Sequence, residues 1–187
     1  YQRNQEAVES DNRFVLKCKN TDRVLLFTDK GNMHQIKCQD VPLGKFKDKG
    51  VPIDNISKYN ANQEEIIYAN VKSALAGKTL IFATRYAMVK LVETSEFETA
   101  NKLVAATKLG EGDQLIEIRE MAYETDIVFE THDGYFLRCS LSDIPLQKKN
   151  SKGVIGIRLG KCDTLEHFYL LGTEPVEISY RKKPLSL

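Results

Sequence analysis

The sequence lacks a long apolar run, paired cysteines and an excess of charge. No apolar run approaches the ~20 residues that a membrane helix needs, and the opening residues carry no basic and apolar leader. The four cysteines, Cys18, Cys38, Cys139 and Cys162, stand far apart with no CxxC pair, which disfavours a zinc site and favours reduced thiols. We therefore expect a cytoplasmic protein without membrane contact. Because the chain starts at Tyr1 and not at Met, we also expect a fragment of something longer.

Signatures of catalysis are missing as well. There is no P-loop and no G-x-G-x-x-G motif, and His34, His132 and His167 occur in no spacing typical of a nucleophilic triad. Acidic residues recur before predicted strands, where solvated turns are favoured over a metal or general-acid site. Lys and Arg number 27 against 26 Asp and Glu, so nucleic-acid binding would require local clustering of charge. We expect a chain that catalyses nothing and binds no cofactor.

One repeated stretch organises the chain. Residues 28–53 return as residues 131–156 at an offset of 103 residues without a gap. A worn copy lies between them, with Thr84 in the place of Thr28, Ala87 in the place of Gly31, and a loop about three residues shorter. A period of about fifty residues is typical of propellers and other repeat arrays. The positions that keep their residue type are Thr28, Gly31, Asp40, Pro42, Leu43, Lys45, Lys49, Gly50 and Val51.

Each unit alternates short apolar runs with Asp, Gly and Asn turns, which predicts β-hairpins. FVLKCKN and VLLFT precede the first turn, MHQIKC follows it, and Pro42, which lacks an N–H, is predicted to end that strand. SEFETANKLVAA is predicted to be a loop and not a helix. We predict an all-β fold of four-stranded blades in a single domain over residues 1–187. Its units are residues 13–62, 63–112 and 113–163, with a partial unit at 164–187.

A lysine-rich loop follows the hairpin in each unit, and these loops are the candidate functional site. Lysines spaced along one rim of a radial array would neutralise successive phosphates of duplex DNA without contacting bases. A single loop of this kind is more often a solvated turn, and Arg138 in particular suits the exposed face of an alternating strand. The candidate DNA-binding residues are Lys45, Lys47, Lys49, Lys102, Lys108, Arg138, Lys148, Lys149, Lys152 and Arg158.

FTDKGNMHQIKCQDVPLGKFKDKG and FETHDGYFLRCSLSDIP, each followed by a basic loop and KGV, resemble the repeats of a bacterial domain family. GVIGIRLGKCD is similar to the strand and turn that close one such repeat. The family is the C-terminal domain of the A subunit of the type IIA topoisomerases, DNA gyrase and topoisomerase IV. The resemblance covers residues 13–171 and implies a β-pinwheel, in which propeller-like blades exchange strands with their neighbours.

The resemblance also implies a function and partners. Family members bind double-stranded DNA on the outer rim and bend it toward the catalytic core of the same subunit, which holds the catalytic tyrosine. The parent enzyme uses Mg, and ATP bound by a B subunit. The glycine-rich basic box Q-R-R-G-G-K-G of gyrase members is absent here, which favours a topoisomerase IV-like subunit. Full pinwheels have more units than this chain. The alternative is a β-propeller that binds protein and has no role with DNA.

Overall fold

The computed structural model describes residues 13–45 and 48–187. These residues form thirteen strands and one short α-helix, α1 (Lys72–Leu75), which confirms the all-β prediction. Within the same residues, no helix is long and apolar enough to cross a membrane. The strands are β1 (Arg23–Thr28), β2 (Asn32–Lys37), β3 (Ile66–Val71), β4 (Thr79–Thr84), β5 (Met88–Glu93), β6 (Leu103–Ala105), β7 (Leu115–Glu120), β8 (Asp126–Thr131), β9 (Phe136–Ser140), β10 (Val154–Ile155), β11 (Leu165–Leu171), β12 (Glu177–Tyr180) and β13 (Lys183–Ser186).

The strands form separate antiparallel sheets, which we call blades. Blade 1 has the order β3-β1-β2-β6, blade 2 the order β10-β5-β4-β7, blade 3 the order β11-β8-β9, and β12 and β13 form a further hairpin. In each of the first three blades a central hairpin pairs with the strand that follows it after a long connection. Two four-stranded blades, one with three strands and a hairpin match the prediction of about three units and a partial one.

The fourth strand of a blade comes from the next repeat. Strand β6 follows the hairpin of blade 2 in the chain but pairs with β2 of blade 1, where Val104 faces Met33. Strand β10 follows the hairpin of blade 3 and pairs with β5 of blade 2, where Val154 faces Val89. The connection comes so close that a Cβ on Gly153 would lie 2.5 Å from the carbonyl oxygen of Val89. Strand exchange between neighbours, which the family resemblance implies, is therefore present.

Apolar side chains fill the spaces between neighbouring blades. One cluster joins blades 1 and 2, where Phe27 packs edge-on against Phe97 at 5.1 Å and against Phe82 at 6.0 Å between ring centroids. A second cluster joins blades 2 and 3 through Ile81 and Phe129, both fully buried. Neither face could be covered by its own blade, so burial of this surface holds the array together.

The hairpin turns are those that the repeat predicts. Gly31 and Gly134 have φ of +73° and +86°, in the left-handed region that side chains disfavour. In the middle copy, Ala87 takes the same conformation with φ of +58°, at the cost of a Cβ in that region. The divergent middle repeat therefore keeps the turn although Ala87 replaces the glycine.

Two local predictions are wrong. FVLKCKN is irregular chain, because Phe14 and Leu16 pack against the outer face of blade 1 without joining a sheet. Strand β2 ends at Lys37, and the 3₁₀ turn Cys38–Asp40 follows it. Pro42 therefore lies beyond the strand and does not end it. SEFETANKLVAA forms a 3₁₀ turn at Thr94–Phe97 and then β6, so it is not an α-helix, as predicted, but its last part is a strand and not a loop.

Candidate nucleic-acid interface

Lys102 and Lys152 occupy equivalent places on consecutive blades. Each lies two residues before a valine of a donated strand, Val104 in β6 and Val154 in β10. Those valines face equivalent residues of the receiving hairpins, so the equivalence of the two lysines is fixed by strand register. Both side chains are exposed. The middle loop is therefore three residues shorter than the loop of the third unit, and the missing residues fall before Lys102.

Lys108 and Arg158 follow the donated strands at a second pair of equivalent positions, and both are exposed. The backbone at Lys108 reaches the basic loop of the next unit, since its amide donates to the carbonyl oxygen of Ser151 at 3.3 Å. The Thr107 hydroxyl donates to the same oxygen, also at 3.3 Å. Lys108 thus lies beside the loop that carries Lys148, Lys149 and Lys152.

Lys149 is anchored more firmly than its neighbours. Its ammonium donates to the backbone oxygen of Glu96 at 2.7 Å and lies 3.8 Å from the Glu96 carboxylate, while its amide donates to that carboxylate at 3.2 Å. Lys148 is exposed and forms no ion pair with another residue of the described chain. The loop therefore offers Lys148 and Lys152 to solvent and uses Lys149 for attachment.

A buried lysine lies beneath this loop. Lys90, on β5, is 1% exposed, and its ammonium donates to the carbonyl oxygens of Lys148 (3.2 Å), Lys149 (2.8 Å) and Ser151 (2.9 Å). Burial lowers the pKa of the Lys90 ammonium to about 8, and the nearby Glu96 carboxylate acts in the opposite direction. Sequence reasoning missed this residue, although a lysine within the apolar run MVKLV was a signal.

The basic loop of the first unit is placed differently. Lys45 and Lys49 are exposed, and the segment that carries them pairs with no strand among the described residues. The Lys45 amide donates to the Asp48 carboxylate at 2.6 Å. Lys47 lies outside the described residues. These lysines share sequence position with Lys148 and Lys152, but not the docked setting of that loop.

Arg138 is partly neutralised by its own blade. The residue lies on β9, where its guanidinium contacts the Asp126 carboxylate of β8 at 2.6 and 2.7 Å. It is exposed. The expectation that Arg138 sits on the exposed face of a strand agrees with this position.

The prediction of solvated acidic residues before the strands is wrong for one residue in each unit, whereas Glu65, Glu111 and Glu166 are exposed as predicted. Glu64 is buried beside the first hairpin, where its carboxylate accepts from the Thr28 hydroxyl at 2.7 Å and the Asn32 amide at 3.0 Å, and contacts His34 at 2.6 Å. Burial raises the pKa of Glu64, but these hydrogen bonds outweigh it and hold the pKa below its usual value. The carboxylate therefore braces the turn.

Asp113 and Asp163 brace the next two turns in the same manner. Asp113 accepts from the Tyr86 amide at 2.9 Å, and Asp163 from the Asp133 amide at 3.0 Å. Both aspartates are buried. Within the described chain, no three His, Cys, Asp or Glu side chains are grouped closely enough to hold a metal ion, and no disulfide joins the cysteines. The acidic recurrence is therefore structural in all three units.

Comparison with known proteins identifies relatives over most of the chain. The DNA gyrase A subunit of Lawsonia intracellularis is 34% identical over 143 residues, which is 76% of this chain and 17% of that protein. The DNA topoisomerase 4 A subunit of Streptococcus pyogenes is 28% identical over 157 residues, which is 81% of this chain and 19% of that protein. The chain thus spans less than a fifth of the length of these relatives.

Solved structures share the fold. The crystal structure of the C-terminal domain of DNA topoisomerase IV superposes with a TM-score of 0.79 at 24% identity, over 95% of this chain and 59% of that one. The E. coli ParC C-terminal domain gives 0.76 at 17% identity, over 92% and 71%. The model of the DNA gyrase C-terminal domain, a β-propeller, matches residues 22–71 and 125–171, just over half of the chain. The chain therefore belongs to the family of DNA gyrase C-terminal domains and is built as a β-pinwheel.

Proposed function

We propose that this chain is a DNA-binding and DNA-bending accessory domain of the A subunit of a type IIA topoisomerase. It presents duplex DNA on an outer rim of basic residues to the catalytic core of the same subunit. The domain itself carries out no chemical step and needs no cofactor. ATP and Mg are used elsewhere in the parent enzyme, through the core and the B subunit.

One observation carries the proposal. Strand register gives Lys102 and Lys152 equivalent places on consecutive blades, with Lys108 and Arg158 at a second equivalent pair. Cations repeated at one position of a radial array meet successive phosphates of a duplex that follows the rim. Contacts of this kind position and bend DNA without discriminating its sequence. The total charge of +1 slightly favours the alternative of a protein-binding propeller, so duplex binding would depend on this local cluster of charge.

We assign the parent to the topoisomerase IV type more than to the gyrase type. The reason is chemical, since the chain lacks a Q-R-R-G-G-K-G box, a glycine-rich basic segment able to approach the phosphate backbone closely. Overall identity to the curated relatives does not carry this assignment, because the gyrase relative is 34% identical and the topoisomerase 4 relative 28%.

Duplex binding measured by fluorescence anisotropy over a salt series tests the proposal. If each exposed cation without an ion pair met one phosphate, the logarithm of affinity would fall with the logarithm of salt with a slope of about −6. Combined reversal to Glu of Lys45, Lys49, Lys148 and Lys152 should reduce that slope to about −3 for every duplex sequence alike. The seven cations counted in this slope are the candidate residues that are exposed and form no ion pair with another described residue: Lys45, Lys49, Lys102, Lys108, Lys148, Lys152 and Arg158.

Bending is measured separately. A duplex labelled at both ends should show increased energy transfer when the protein binds, and the change should disappear with the fourfold reversal. Binding without a change in end-to-end distance would contradict bending but not binding. Absence of duplex binding at low salt would refute the proposal and favour the alternative, a β-propeller that binds protein.

A further inference from the structure

The ammonium of Lys90 is held by the backbone of another repeat. Lysine ammonium has three N–H donors, and here three carbonyl oxygens, of Lys148, Lys149 and Ser151, lie at 2.8 to 3.2 Å from it. The side chain also passes the ring of Phe82, with the nitrogen 5.6 Å from the ring centroid. A charge removed from water is costly unless such partners replace the water. The carbonyls of the loop are those partners.

The contacts tie together the parts of the chain that carry the candidate DNA contacts. The Ser151 oxygen accepts from Lys90 at 2.9 Å, and from the Thr107 hydroxyl and the Lys108 amide, each at 3.3 Å. Glu96 holds the same loop from the other side through Lys149. One buried cation therefore connects β5, the segment after β6 and the basic loop.

The equivalent positions in the other blades provide an internal comparison. Lys90 faces Phe82 across its hairpin, as His34 faces Leu26 in blade 1 and Leu137 faces Phe129 in blade 3. The buried His34 has a side-chain partner in Glu64 at 2.6 Å, and Leu137 is 40% exposed with no donated strand over it among the described residues. A buried cation occurs at this position where a long basic loop lies over it.

We propose that Lys90 is a positioning residue of the basic loop, whose carbonyls it binds so that Lys148 and Lys152 are held in place on the rim. The contribution to duplex affinity rests on the proposed function, whereas the ordering of the loop does not. Lys90 itself, being buried, does not touch DNA. A loop that is already ordered loses less conformational freedom on binding than a free one, which favours affinity.

The test replaces Lys90 by Met, which keeps an apolar stem of similar length and removes every donor. Amide hydrogen exchange of the protein without DNA should become about tenfold faster at Lys149, Ser151 and Lys108, while the amides of the central hairpins keep their rates. Thermal stability should change little, because the relief from burying a charge is offset by the three carbonyl oxygens that lose their donor. Lys37→Met, an exposed position on β2, is the matched control and should leave the loop unchanged.

Duplex affinity of Lys90→Met should fall about tenfold for all sequences, as expected when a preorganised loop becomes free. Unchanged exchange in the loop overturns the proposal whether or not DNA binds. Faster exchange with unchanged affinity overturns the part that concerns DNA. Faster exchange in a chain whose wild type binds no duplex supports the positioning role and refutes the proposed function.

A measurement on the wild-type chain covers the case in which Lys90→Met does not fold. With ¹⁵N-labelled lysine, the buried ammonium should give one Nζ signal whose protons exchange slowly with water, with nuclear Overhauser contacts to the loop. Lysine ammonium signals that all exchange rapidly would overturn the proposal.

Discussion

Substitution of Gly153 by Ala measures how much strand donation stabilises the array. Gly153 has φ of +92°, and a Cβ there would lie 2.5 Å from the Val89 carbonyl oxygen and 2.9 Å from its carbon. These atoms belong to β5, inside blade 2, so the donated strand would have to retreat by roughly 0.5–0.9 Å to restore ordinary contact. The retreat weakens the pairing of Val154 with Val89 and the 2.9 Å hydrogen bond from the Gly156 amide to the Ala87 oxygen.

The expected loss follows from two contributions. Ala in the left-handed region costs about 1 kcal/mol, and lost pairing and contacts add about 2–3 kcal/mol. The matched control is Gly50→Ala, at φ of +74° with no atom of the described residues within 4 Å of a built Cβ, where the cost should stay near 1 kcal/mol. Urea unfolding followed by circular dichroism gives both values at one protein concentration. Equal losses in the two variants would refute the idea that close approach to β5 makes glycine necessary at 153.

Three further outcomes follow from the buried charges. Between pH 8 and 10.5 the unfolded chain binds the Lys90 proton and the folded chain does not, so the free energy of unfolding should rise with pH by at most about 3 kcal/mol. Urea unfolding at each pH should show this rise in the wild type and not in Lys90→Met. The charged groups that face the ammonium, Glu96 and Lys149, are present in both proteins. Because the pKa of Glu64 is lowered, its contribution is present above about pH 4 and is lost as pH falls through the folded pKa, so Glu64→Gln should destabilise by about 1–3 kcal/mol at pH 7 and far less at pH 3 in the same assay. Asp163→Asn should accelerate amide exchange at the third hairpin turn without affecting the first, and equal acceleration at both turns would contradict a local brace.

The repeat made much of the fold predictable from sequence. Hairpins came from period-two apolar runs bounded by turn residues, and the three-residue gap before Lys102 was found by aligning KLVAATKLGEGD with KGVIGIRLGKCD. Strand register confirms that alignment, because Val104 and Val154 dock on equivalent residues. Local periodicity and repetition carry this information, because each blade is built from the same pattern of apolar runs and turn residues.

The sequence pattern does not predict which side chains contact residues of a distant part of the chain. Sequence reasoning places the acidic residues in solvent, but the carboxylates of Glu64 and Asp163 bind to turns thirty or more residues away in the chain, and little of either side chain is exposed. Lys90 lies in a strand where alternation assigns no special role, and its partners are backbone atoms 58 to 61 residues away. Such contacts depend on which strands lie beside each other, and the types and spacing of residues along the chain do not show that arrangement.

The donation of β6 and β10 also determines what a break in the chain would do. A cut in the loop near Asn150 would leave β9 on one fragment and β10 on the other. The first fragment would hold β8 and β9 of blade 3 together with β4, β5 and β7 of blade 2, while the second would supply β10 to blade 2 and β11 to blade 3. The two pieces would interlock across both sheets, so a nicked protein should still migrate as one particle in native size-exclusion chromatography and separate only in denaturant.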